Sequence, residues 1–82
     1  MTTHNVKSWP EYFAPIKIGT KTFDLRKTDR NYQEGDDVVF EEFRPGVGTY
    51  TGQTVTRRIT YILHEFDGLM PGYCILALLD MK

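Results

Sequence analysis

Covalent staples and metal chemistry have almost nothing to work with in this chain. Cys74 is the single cysteine among 82 residues, so no intramolecular disulfide can form, and its place in an apolar run fits a core thiol in a reducing compartment. His4, His64 and Cys74 are scattered and form no CxxC or HxxxH pair, so neither a metal nor any other cofactor is expected. The GVG of residues 46–48 lacks the strand-to-helix context and the Lys-Ser/Thr ending of a phosphate loop. No Ser/His/Asp or Cys/His arrangement can be assembled from the remaining candidates. Apolar runs stay well short of the roughly 20 residues of a membrane helix, and no basic leader precedes one at the N-terminus. The expectation is a cytoplasmic protein with no membrane partner. Bulk positive charge is missing too: a formal net charge of −1 excludes attachment to nucleic acid by overall attraction. There is no internal repeat, low-complexity tract or linker, and the length allows one domain over residues 1–82.

What the chain does have is aromatic bulk and segregated charge. Five Phe, five Tyr and one Trp bury more area per residue than aliphatic side chains and help a small fold offset chain entropy. Residues 17–30 hold five basic and two acidic side chains, whereas residues 34–42 hold five acidic and no basic ones. Such a division can place a local basic face on a slightly acidic molecule, or it can mean two differently charged solvated strands.

Turn and periodicity signals divide the chain into short elements. Residues 4–9 read as a first strand. Pro10 opens PEYFAPIKIG, in which Glu11 suits the positive helix end and Tyr12, Phe13 and Ile16 lie three to four apart, so a short helix ending at Gly19 is expected. Strands follow at residues 21–27 and 38–43, the latter entered through a turn at Gly35-Asp36. RPGVGTYTG reads as a flexible loop. The longest strand, residues 53–63, carries Val55, Ile59, Tyr61 and Leu63 on one face; Arg57 interrupts that face, marking either a strand end in solvent or a bulge. Residues 73–81 are nearly all apolar, as in a central strand. The fold class is mainly β with a short helix: a strongly curved five-stranded sheet, closed or nearly closed into a small barrel capped by the helix. Its expected core includes Phe23, Leu25, Phe40, Ile59, Tyr61, Ile75 and Ala77.

The segment GTKTFDLRKTDR, residues 19–30, concentrates the polar chemistry. On a strand, Phe23 and Leu25 are expected inward, with Asp24 and Arg26 on the opposite face. Lys21 and Arg26 are the best candidates for phosphate or base contacts, Arg as a planar fork and Lys as a point charge. Asp24 is placed to orient Arg26 or to accept from a base amino group; alternatively the charges form a structural ion pair. A nucleophilic lysine must shed its proton, which a neighbouring carboxylate opposes. Lys27, Arg30 and Tyr50 are further candidates for nucleic-acid contact, and Arg44, Arg57 and Arg58 could extend a basic track. Trp9, which could also stack on a base, precedes the helix and is expected in the core.

SWPEYF, then GTKTFDLRKTDR, then Gly35-Asp36 leading a strand, then YTG at residues 50–52 and ITYIL at residues 59–63 together resemble the ASCH domain family. That family belongs to the PUA-like superfamily of small β-barrels, and the likeness is greatest to a compact bacterial and phage subfamily of unknown function. The motif GxKxxExR carries most of it, with Asp24 here in the acidic position. The resemblance implies RNA or modified-nucleotide binding in a cleft between barrel and helix, lined by Gly19, Lys21, Asp24 and Arg26. Some ASCH members are amidohydrolases acting on acylated cytidine; they share Gly19, Lys21, Thr22 and Arg26 but have Thr where this chain has Asp24. They also use a later carboxylate, for which Glu65 is the nearby candidate. An enzyme of that kind would rest on Lys21 and Asp24. A third reading is a phage or host interaction protein whose acidic residues 34–42 meet a basic protein partner.

Overall fold

The structure, a computed structural model, describes residues 1–80. Six elements follow one another: β1 (Thr3–Ser8), α1 (Pro10–Ile18), β2 (Phe23–Lys27), β3 (Asp37–Arg44), β4 (Thr49–His64) and β5 (Tyr73–Asp80). Met81, expected at the end of the last strand, lies outside the described residues. The five strands form one mixed sheet in the order β1-β3-β4-β5-β2. β1 runs parallel to β3, and the other pairings are antiparallel. The sheet curls into a half-barrel. β1 and β2 are its two edges, and they do not pair, so the expected curved five-stranded sheet is present in its incompletely closed form, with an open seam between them.

The helix forms as its residues dictate. Pro10 occupies the first turn, where its missing N–H costs nothing, and Glu11 and Lys17 complement the positive and negative helix ends. Phe13 and Ile16, three residues apart, are buried against the sheet. Gly19 ends the helix at φ 102°, a left-handed conformation open to glycine, and donates to the Pro15 carbonyl at 3.0 Å.

The core joins these residues to Val6, Tyr32, Val38, Phe40, Ile59, Cys74, Leu76 and Leu78. Phe40 and Ile59 are central, as expected. Phe23 (51% exposed), Leu25 (54%) and Tyr61 are not in it, and Ile75 and Ala77 are half-buried. Two registers explain the difference. In β2, Asp24 lies opposite Leu76 and Arg26 opposite Cys74, on the inner face of β5, while Phe23 and Leu25 lie opposite Ala77 and Ile75 on the outer one. The strand is thus turned over relative to its apolar alternation, because its inner face lines the open seam. In β4 a register shift between Ile59 and Tyr61 turns Tyr61 outward and brings Ile62 against the core. A single inserted residue reverses every later side chain.

Arg57 interrupts the apolar face for a different reason from the two anticipated. Its guanidinium donates to the carbonyl of Ile16 at 3.0 Å, capping the C-terminal end of α1, and lies 3.8 Å from Asp80. Arg58 pairs with Asp37 at 3.2 Å. Arg44 sits at the far end of β3, opposite Thr49, so the three arginines do not form one track. The anticipated loop at residues 44–52 is shorter than expected, with β4 already begun at Thr49.

Asp36 clasps the N-terminal edge. Its carboxylate accepts the backbone N–H of Thr2 (3.0 Å) and of Gln33 (3.1 Å) and the His4 Nε2–H (2.9 Å). The His4 hydrogen bond, then that of Thr2, holds its carboxyl below the ordinary range against the opposing effect of burial. Cys74 is buried, and burial pushes its thiol up.

Replacing Asp36 by Ala leaves the buried His4 ring and the partly buried Thr2 and Gln33 N–H groups without their acceptor, and is expected to cost about 2–4 kcal/mol in urea unfolding at neutral pH. The depressed folded pKa sets the sign of the pH dependence: the Asp36 contribution is complete above the unfolded value of about 3.9 and is lost as pH falls through the folded one. The difference in stability between wild type and Asp36→Ala should therefore narrow on acidification below about pH 4. A gap that stays constant to the lowest pH at which the protein folds contradicts the clasp.

Candidate functional site

The open seam is where the motif residues meet. After Gly19 the chain doubles back, and the Lys21 N–H also bonds the Pro15 carbonyl, at 3.1 Å. This sets Lys21 beside the helix, with Nζ 5.1 Å from the centre of the Tyr12 ring, 5.6 Å from that of Phe23 and 3.3 Å from Asp24 Oδ1. Asp24 is 5% exposed. Its other oxygen accepts from Arg26 Nε, and Arg26 Nη2 donates to the backbone carbonyl of Lys7 on β1 at 2.9 Å. One carboxylate thereby orders two cations, and one of those cations bridges the two sheet edges.

These groups bound a cleft of about 400 Å³ lined by Lys7, Ser8, Trp9, Tyr12, Lys21, Asp24, Leu25 and Arg26. Such a volume lies within the range of small-molecule sites, roughly 300–1,000 Å³. Trp9 and Tyr12 form its aromatic wall, their rings 25° from parallel with centroids 6.2 Å apart, and both are about half exposed. Trp9 is therefore on the cleft and not in the core, because it serves as the helix N-cap, where the chain leaves the sheet. Ser8 is buried, and its Oγ is the buried side-chain oxygen among the described residues that finds no partner.

A second hollow, about 360 Å³, continues past Arg26 and shares Lys7, Leu25 and Arg26 with the first. Lys27 and Arg30 line it with Val6, Asp29, Tyr32 and Tyr73. Gly19 does not line the cleft, contrary to the position-by-position expectation; it shapes the turn that delivers Lys21. Tyr50 also lies elsewhere, edge-on to Phe43 with centroids 4.9 Å apart. Glu65 is on the turn after β4, beside a hollow with Met70 and Tyr73, and does not join Lys21. Among the described residues no three His, Cys, Asp or Glu side chains converge as metal ligands. No helix among them is long and apolar enough to cross a membrane. The acidic stretch is largely engaged within the fold: Asp36 with His4, Asp37 with Arg58, Glu41 with Asn5 and Glu42 with Thr51.

Sequence reasoning missed Lys7, Ser8 and Tyr12 as cleft residues. Tyr12 reads as part of the helix face that holds Phe13 and Ile16, yet the α1 surface it occupies looks into the seam. Lys7 lies outside the basic run and joins it only because the sheet curls.

Fold and site define a small mixed β half-barrel with an aromatic-walled, cation-rich cleft at its open edge. The chain belongs to the family described as Domain of unknown function (DUF3850), whose model matches residues 3–78. It is also similar to the "Uncharacterized 12.9 kDa protein in GpA 3'region" of Escherichia phage P2, at 39% identity over 66 residues. That alignment covers 80% of this chain and 59% of the phage protein, so the chain spans less than two thirds of its relative's length.

Asp24→Ala would leave Lys21 and Arg26 facing each other without their counterion and free Arg26 from its orientation. The expected cost is about 1–3 kcal/mol in urea unfolding. Asp24→Glu should recover part of it. A loss below about 0.5 kcal/mol, the usual range for changes at an unengaged surface position, contradicts the ordering role given to this carboxylate.

Proposed function

We propose that this chain is an ASCH-like, PUA-related cytoplasmic module that binds RNA or a modified nucleotide in the cleft at the open seam. The observation that carries this reading is the pairing of an exposed aromatic wall, Trp9 and Tyr12, with two cations, Lys21 and Arg26, around a cavity of about 400 Å³ that Lys7 also lines. Bases on single-stranded nucleic acid are held by stacking on such rings, with neighbouring cations taking the phosphates. Lys21, on the rim, takes phosphate. Arg26, fixed by Asp24 and Lys7, presents a rigid fork suited to a base edge.

The hydrolase alternative draws less support. Lys21 is engaged by the Asp24 carboxylate, and Glu65 does not supply a second catalytic group beside it. Purified protein incubated with acylated cytidine is expected to give no turnover that depends on Lys21. Product formation abolished by both Lys21→Ala and Asp24→Ala would establish the enzyme instead.

Binding should be weak and salt-sensitive, since few cations reach phosphates on a chain of net charge −1. Each phosphate neutralised on a single strand contributes a slope of about −0.7 in log K against log salt. Lys21→Ala should reduce the slope by about that unit, whereas Arg26→Lys should alter preference among bases more than the slope. Titrations at several salt concentrations check both, and wild-type behaviour in the two variants removes the cleft as the RNA site.

A further inference from the structure

The two hollows along the seam form one groove divided by a crossbar. The crossbar is the Arg26 guanidinium, reaching from β2 to the Lys7 carbonyl on β1. On one side lie Trp9, Tyr12, Lys21 and Asp24; on the other lie Lys27, Asp29, Arg30, Tyr32 and Tyr73. Resting on the nucleic-acid reading above, we infer that the ligand is an extended single strand that crosses Arg26 and occupies both lobes, with Lys27 and Arg30 holding the phosphates of the second.

Charge supports this occupant. Five of the ten Lys and Arg residues line the two lobes, together with only two of the eleven acids, so a chain of net charge −1 presents a seam of +3. Dimensions support it as well. The five residues of β2, at about 3.3 Å per step, extend along some 13 Å of seam, more than one nucleotide requires. An inserted β-strand, which two unpaired edges could otherwise accept, would have to displace the Arg26 bridge and the Asp24 bond that fixes it. A backbone lying over the crossbar leaves both intact and brings its phosphates toward Lys21 in one lobe and Lys27 and Arg30 in the other. A duplex would present paired bases, which cannot be splayed onto Trp9 and Tyr12.

The test compares uridine monophosphate, a uridine hexanucleotide, a hexamer duplex and a six-residue polyglutamate peptide, each titrated into the full chain at several salt concentrations. Wild type should bind the hexanucleotide about tenfold or more tighter than the mononucleotide, as linked subsites do. It should bind duplex and peptide more weakly than the hexanucleotide. Lys27→Ala with Arg30→Ala, both exposed positions, should shrink the hexamer-to-mononucleotide affinity ratio about fivefold or more and flatten the hexamer salt slope by about 1.4, the sum for two phosphates. A circular dichroism melt matching wild type establishes that the double variant is folded; if it is not, charge reversal at Arg30 alone, Arg30→Glu, replaces it with the same expectation at about half the slope change. Mononucleotide binding with no gain for the hexamer, or an unchanged ratio in the folded variant, overturns the two-lobed strand site while leaving the single-nucleotide cleft standing. Preference for the peptide overturns it in favour of an acidic protein partner. Absence of binding to every probe removes both this inference and the reading on which it rests.

Discussion

Asp24 buried between Lys21 and Arg26 is the arrangement on which the seam depends. A five-stranded sheet of this size must either close or manage two edges, and an unprotected edge invites pairing with other chains. Here the edges stay apart and the Arg26 side chain spans them. Arg26 can do so because Asp24 fixes its fork, leaving Nη2 aimed at the Lys7 carbonyl. A lysine could not substitute fully: it has no second nitrogen to hold one partner while bridging to another.

Several features follow from that bridge. Polar groups must face the sheet interior at β2, so the strand turns its apolar residues outward, against the pattern of its own alternation. The helix leaves β1 at Trp9 and returns at Gly19, crossing beside the seam, and its first turn contributes an aromatic wall to the cleft. At the helix's other end Arg57 holds the Ile16 carbonyl, which ties α1 to β4. The Asp36 clasp secures β1 against the turn preceding β3, so the edge that receives the bridge is itself anchored.

The order and type of the elements were legible in the sequence because each signal was local. Pro10 and Gly19 mark the helix, and the apolar run after Tyr73 marks a central strand. Side-chain direction was less legible. Phe23, Leu25 and Tyr61 belong to alternating apolar patterns, and nothing near them tells which face is covered. The answer comes from pairing with β5, whose inner residues are Cys74, Leu76 and Leu78. A bulge at residue 60 leaves no compositional mark either. At the candidate site, Lys21, Asp24 and Arg26 could be picked out as polar residues crowded on one short strand. Lys7, Ser8 and Tyr12 reach the same cleft only through the curl of the sheet and the crossing of the helix. Tyr50, attractive as an aromatic in a glycine-rich stretch, is directed by β3–β4 pairing toward Phe43 and away from the cleft.

The claim that the seam is the ligand-binding surface is most directly tested by amide chemical-shift mapping of the labelled chain titrated with single-stranded RNA. Perturbations should cluster on residues 7–12, at the end of β1 and the start of α1, and on residues 21–30, including the Trp9 indole N–H. The outer face carrying Tyr61 and Ile75 should remain largely unmoved. Perturbations centred on that outer face, or on the β3–β4 hairpin around Tyr50, would contradict the account.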